Sequence, residues 1–219
     1  MARGIWHVLL VTAVISLFAL PASATTKPLF NDWFALGSGC RAKSDLPGNV
    51  QMEALPADPT RPSTHRVKFT FKDFQLKGDT AERAVMQFAR ECAVRLNINP
   101  PEGKRIVDIR AQTSVVASKE TGATLDVLSE LKLGNASLGI VRRQLDASAR
   151  IRPEQDAIDL AAGSSGEALP HLGCGEHKII GFDYSWIAKR EQKHISRLSV
   201  ELGGDKSFVF EATLGDCKA

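Results

Sequence analysis

Tyrosine is nearly missing from this chain: one residue in 219, within an aromatic content of only 6%. A membrane β-barrel needs aromatic girdles at both interfaces, so this scarcity argues against one, as do the four cysteines and the hydrophilic end Asp216-Cys217-Lys218-Ala219. Charge of one sign is lacking as well. Lys and Arg number 28 against 25 Asp and Glu, a net +3 that excludes the strong field expected of a nucleic-acid or anionic-membrane binder. The basic residues of 41–110 and the pair Arg142-Arg143 are interleaved with acids and read as a scattered wet face. No G-x-S-x-G elbow, H-E-x-x-H, EF-hand loop or P-loop occurs, which removes several common enzyme classes. Gly37-Ser38-Gly39-Cys40-Arg41-Ala42 matches the dinucleotide pattern G-x-G-x-x-A in letters only, because Pro47-Gly48 follows it where a helix should. No cofactor is implied, and no internal repeat is found.

What is present begins with an export signal. Met1-Ala2-Arg3 carries one positive charge, Val8 to Leu20 is almost wholly apolar, and Ala22-Ser23-Ala24 offers the small residues a signal peptidase needs. The apolar stretch is shorter than the ~20 residues of a membrane span, and Pro21 breaks it. Residues 1–24 are therefore expected to be a secretory signal, and 25–219 a single secreted domain, extracellular or periplasmic, with no membrane span in the mature chain.

All four cysteines, Cys40, Cys92, Cys174 and Cys217, fall in the mature part, and an even count in an oxidising compartment points to two disulfides. Four cysteines allow three pairings. Cys40 with Cys92 and Cys174 with Cys217 is the uncrossed one and is favoured, each bridge stabilising by about 4 kcal/mol in the chain-entropy picture. A competing reading takes His171, Cys174 and His177, spaced i, i+3, i+6, as weak candidate ligands of a soft metal. The bland alternative there is a Gly-rich loop holding a bridged cysteine.

Along the chain the dominant period is two. Phe30, Trp33 and Phe34 near the mature N-terminus read as a seal on one end of a core, followed by the turn Gly37-Ser38-Gly39-Cys40. Pro56, Pro59 and Pro62 mark an irregular loop. Val67, Phe69 and Phe71 then alternate with Arg66, Lys68, Thr70 and Lys72, as a half-buried strand does. Thr80 to Glu91 and Glu154 to Ala162 read as short helices, and Gly163-Ser164-Ser165-Gly166 as a flexible loop. The runs on either side of Pro100-Pro101-Glu102-Gly103 are expected to form a hairpin-like pair, as are those on either side of Gly203-Gly204-Asp205. Eight or nine short strands with one or two helices predict an all-β fold, an antiparallel β-sandwich.

Candidate chemistry is thin. Asp108, Glu130, Asp146, Asp183 and Glu201 include residues that could form a carboxylate pair working on a glycan, against the simpler reading of solvent-face polarity. Phe182, Tyr184 and Trp186 form a period-two aromatic face that suits either a ligand platform for sugar rings or the core of a sandwich. Asn135-Ala136-Ser137 is a glycosylation acceptor where the host has that machinery.

Three segments carry a resemblance: Gly37-Ser38-Gly39-Cys40, Phe69-Thr70-Phe71-Lys72-Asp73-Phe74, and the run from Cys92-Ala93-Val94-Arg95-Leu96-Asn97-Ile98 through Pro101-Glu102-Gly103 toward Val116. The mature chain resembles a domain-of-unknown-function family of small secreted, cysteine-containing proteins of fungi and bacteria. The resemblance implies paired cysteines and a β-rich fold and implies no catalytic residue; the loop from His171 to His177 departs from it. The leading expectation is a non-catalytic extracellular binding or surface module whose partner is an extracellular ligand or surface polymer. The alternatives are a secreted glycan hydrolase and a secreted inhibitor or effector.

Overall fold

The computed structural model describes residues 28–46, 48–79, 87–119, 122–146, 157–165, 169, 172–190, 197–202 and 206–217. The expected signal at 1–24 and the candidate His171 lie outside them. Thirteen strands occur among the described residues: β1 Phe30–Leu36, β2 Arg41–Lys43, β3 Val50–Ala54, β4 Thr64–Phe71, β5 Gln75–Asp79, β6 Gln87–Ile98, β7 Lys104–Lys119, β8 Ala123–Leu133, β9 Ala136–Leu145, β10 Ala157–Ser165, β11 Lys178–Arg190, β12 Arg197–Leu202 and β13 Ser207–Asp216. They form two antiparallel sheets, one ordered β2-β1-β6-β11-β8-β9 and the other β3-β4-β13-β7-β12-β5, with β10 also paired to β7. The all-β, two-sheet expectation holds, with more strands than eight or nine and with no helix among the described residues.

Period-two patterning explains the layering, because each strand turns alternate side chains to the shared interior. Val94, Leu96 and Ile98 of β6, Phe182, Tyr184 and Trp186 of β11, and Leu125, Val127 and Leu131 of β8 point inward from the first sheet. Val67, Phe69 and Phe71 of β4 and Phe208 and Phe210 of β13 meet them from the second. The faces touch through aromatic rings: Phe182 lies 5.3 Å from Phe208, Tyr184 5.3 Å from Phe208, and Trp33 5.3 Å from Phe69. Edge and tilted pairs of this kind are worth about 0.5–1.5 kcal/mol each beyond their burial.

Both expected helices are corrected where they can be seen. Residues 87–91 open the long strand β6, paired with β11 from Lys189 opposite Gln87 to Lys178 opposite Ile98. Residues 157–165 are β10, lying against β7 from Ala157 opposite Val116 to Ser165 opposite Asp108. In each case the ladder of a neighbouring strand outweighs a weak local helix preference. The same strand replaces the flexible loop expected at 163–165.

The two expected hairpins are also corrected. Pro101 and Lys104 close a turn, N to O 3.0 Å, but β6 and β7 leave it for different sheets, so the turn joins the layers. Strands β12 and β13 both run antiparallel to β7 in succession, β12 against Val115–Lys119 and β13 against Lys104–Thr113, and so do not pair with each other. A true two-residue hairpin joins β8 to β9, where Leu133 faces Ala136 across Gly134-Asn135, and Gly134 has a φ of 59°. The sequon asparagine Asn135 is exposed at this turn.

Two disulfides are formed in the uncrossed pairing, Cys40–Cys92 within the first sheet and Cys174–Cys217 from the loop before β11 in the first sheet to the residue after β13 in the second. Cys40 and Cys92 are buried, and beside them Gly39 is obligatory, because a Cβ there would stand 2.1 Å from the Phe74 ring. Cys174 is exposed, in the loop before β11.

Candidate functional site

Adjacent residues of a strand face opposite ways, so Trp33 and Phe34 cannot both enter the core. Trp33 is 8% exposed and packs edge-on against Phe69; Phe34 is 41% exposed and stands on the outer face of the first sheet. The expected aromatic seal thus holds for Phe30, which packs partly buried against the core, and for Trp33, and fails for Phe34. Leu36 is exposed on the same face, and Ile179 and Leu46 are exposed close by. The ladder register sets the neighbours of Phe34: Lys43 on β2, Arg95 on β6, then Gly181 on β11 and Lys132 on β8.

A bulge in β1 adds to this face. Asn31 opposes Asn97 and Trp33 opposes Leu96, so Asp32 is an extra residue on the bulged strand, and its φ of 32° lies in the region L-residues seldom occupy. Two depressions adjoin Phe34. One, of about 340 Å³, is lined by Asp32, Trp33, Ser44, Arg95, Asn97 and Ile179 with Phe34 and Lys43. The other, of about 710 Å³, is lined by Phe34, Leu36, Arg41, Ala42, Leu46 and Gly48 with Lys43. Both are mainly apolar in surface, and the smaller one also carries the polar side chains of Asp32, Ser44 and Asn97.

The carboxylates resolve into ion pairs. Asp183 takes both guanidinium nitrogens of Arg95, one bond of 3.2 Å from Nη2 and a shorter one from Nη1, and a third bond of 2.8 Å from Lys132 Nζ. Lys132 also pairs with Glu130 at 3.0 Å. Burial pushes the Asp183 carboxyl up, but the hydrogen bonds from Arg95 and Lys132 outweigh it and hold the group below its ordinary value. Lys132 is held above its own by Asp183 and then Glu130. Gly181 makes the arrangement feasible, because the Arg95 guanidinium lies where a side chain would be, 3.1 Å from a built Cβ.

A general acid needs a raised pKa, and Asp183 has the opposite. Asp183, Lys132 and Glu130 therefore make a structural charge ladder, in which Asp183 does not fit the part of a general acid. Asp108 is on the second sheet, paired with Arg110 at 2.9 Å, and Asp146 is exposed past the end of β9. The Glu201 side chain lies outside the described residues.

The other candidates sort as plainly. Phe182, Tyr184 and Trp186 are buried between the sheets and present no face to a ligand, so the platform reading is corrected to core. The sulfur of Cys174 is bonded to Cys217 and is no thiolate ligand, and His177 is exposed. Among the described residues no group of three His, Cys, Asp or Glu side chains converges to hold a metal ion. Phe34, Leu36, Asp32 and Asn97 were not singled out as a site from the sequence. The signal available was Trp33-Phe34 itself, two adjacent aromatics in an alternating strand.

No family model matches the chain, and no curated protein matches it. Among solved structures, that of TmCBM61 in complex with beta-1,4-galactotriose is similar at 9% identity, covering 84% of this chain and 88% of that one, with a TM-score of 0.24. Infectious bursal disease virus, Gt strain, is similar at 9% identity over 82% of this chain and 45% of that one, TM-score 0.20. The VP2 subviral particle of the same virus is similar at 12% identity over 74% and 45%, TM-score 0.16. Scores this low leave the site to be argued from its own residues.

Proposed function

We propose that the chain is a non-catalytic, secreted binding module that holds its ligand on the outer face of the first sheet, where β2, β1 and β6 lie side by side. The observation that carries this reading is the exposed apolar group of Phe34, Leu36 and Leu46, set around two adjoining depressions on a rigid, disulfide-pinned sheet edge. Two disulfides fit an oxidising compartment, in keeping with the export signal and with the resemblance to small secreted proteins. The hydrolase alternative is disfavoured by the Asp183 carboxylate, held ionised by two cations.

Backbone hydrogen exchange of the oxidised protein, with and without polymers and proteins from its extracellular surroundings, tests the reading. Ligand-dependent protection in 31–46 and 95–97 is expected. Turnover of a polysaccharide, abolished by Asp183→Asn in a folded protein, would overturn it.

A further inference from the structure

We infer that the two depressions flanking Phe34 take a neutral carbohydrate chain, with the Phe34 ring against the C–H face of a sugar; this rests on the binding-module reading above. Charge is the first argument. Lys43 is paired with Asp45 at 3.3 Å and Arg95 with Asp183, and of the remaining charges Arg41 on the larger depression is balanced by Asp32 on the smaller one, so the lining carries no net charge. A polyanion would meet the Asp32 carboxylate, and the site holds no surplus charge to attract it.

Hydrogen-bonding capacity is the second argument. Among the described residues, the side chains of Asp32, Ser44 and Asn97 have no partner within the protein. A carboxylate that accepts, an amide that does both and a hydroxyl that does both complement neighbouring sugar hydroxyls, each of which donates and accepts. The bulge at Asp32 supplies the carboxylate by adding a residue to the outer row beside Asn97. Both depressions, about 340 and 710 Å³, fall in the size range of small-molecule sites, and they lie on either side of one exposed ring, which suits a chain of sugars rather than one.

An extended peptide is the competing occupant, and it would add to a free strand edge. That edge is closed here. The Arg41 N–H donates to Asn49 Oδ1 at 2.8 Å, and Lys43 and Leu46 exchange backbone bonds of 3.4 and 3.2 Å.

Affinity electrophoresis and calorimetry of the whole oxidised protein test the inference, with soluble β-glucan, galactan, mannan and xylan as neutral probes, polygalacturonate as the acidic one, and a random peptide library. Binding of at least one neutral polysaccharide is expected, little changed by high salt and about tenfold weaker in both Phe34→Ala and Asn97→Ala. Unfolding midpoints of the two variants should stay near the parent's. Preference for polygalacturonate that fades with salt would overturn the inference, as would binding of none of the polysaccharides. Peptide binding that protects 31–46 would overturn the carbohydrate and leave the module reading standing. Neutral-polysaccharide binding indifferent to both substitutions would overturn the site and that reading together.

Discussion

Trp33 and Phe34 are one peptide bond apart, and the fold assigns them opposite tasks. Trp33→Ala removes a side chain only 8% exposed whose ring sits 5.3 Å from Phe69 across the sheet interface. Truncating a buried aromatic costs about 3–5 kcal/mol, and the incomplete burial of Trp33 places it toward the lower end. Phe34 is 41% exposed on the outer face, where a substitution costs about 0.5 kcal/mol, and about 1 kcal/mol for a ring partly covered by its neighbours. Denaturant unfolding of the oxidised variants, read by tryptophan fluorescence for Phe34→Ala and by far-UV dichroism for both, measures the difference. The two curves should share a slope and differ in midpoint, with Trp33→Ala lower by the equivalent of about 2–4 kcal/mol. Equal losses, or a larger loss from Phe34→Ala, would refute the register of β1 after its bulge, and with it the wall of both depressions.

Asp183 supplies a pH dependence. Its folded value lies below the ordinary carboxylate value, so its contribution is fully present above that ordinary value and is lost as pH falls through the folded value. Acid titration of stability should therefore steepen below about pH 4 in the parent and be flatter there in Asp183→Asn, which leaves Arg95 and Lys132 short of an acceptor and lowers stability at neutral pH by about 1–3 kcal/mol. Gly39→Ala drives a methyl into the Phe74 ring and should lower the unfolding midpoint by the equivalent of about 1–3 kcal/mol. Mild reductant with a thiol label, followed by peptide mapping, should open Cys174–Cys217 first, because Cys174 is exposed whereas Cys40 and Cys92 are buried.

Much of the architecture was legible because alternation survives wherever one face of a strand is wet. Val67, Phe69 and Phe71 announced their strand and its inner face, whereas Phe182, Tyr184 and Trp186 announced a strand and left open whether its aromatic side met a ligand or the core. What could not be read was pairing. The Pro101 turn looks the same in sequence whether its strands pair or part, and only the partners β11 and β13, far along the chain, decide that β6 and β7 part. The helices failed for the same reason: Ala157 to Ala162 suits a helix locally, but β7 offers a ladder along its whole length. The site was harder still. Phe34 became visible only once the bulge fixed which of two neighbouring aromatics faced out, and the closeness of Asp32, Ser44 and Asn97 depends on β1 lying between β2 and β6.

The bridge between Cys174 and Cys217 also decides how the molecule carries a mechanical load. Cys217 directly follows β13 of the second sheet, and Cys174 precedes β11 of the first. Tension on the C-terminus therefore cannot peel β13 from its free end strand by strand. It passes through the sulfurs into β11, held on both sides by β6 and β8 for nearly its whole length, where many backbone bonds must shear together. Forced extension of the oxidised chain from its C-terminus should show one abrupt rupture at high force, and reduction should convert it into stepwise unzipping that begins with β13.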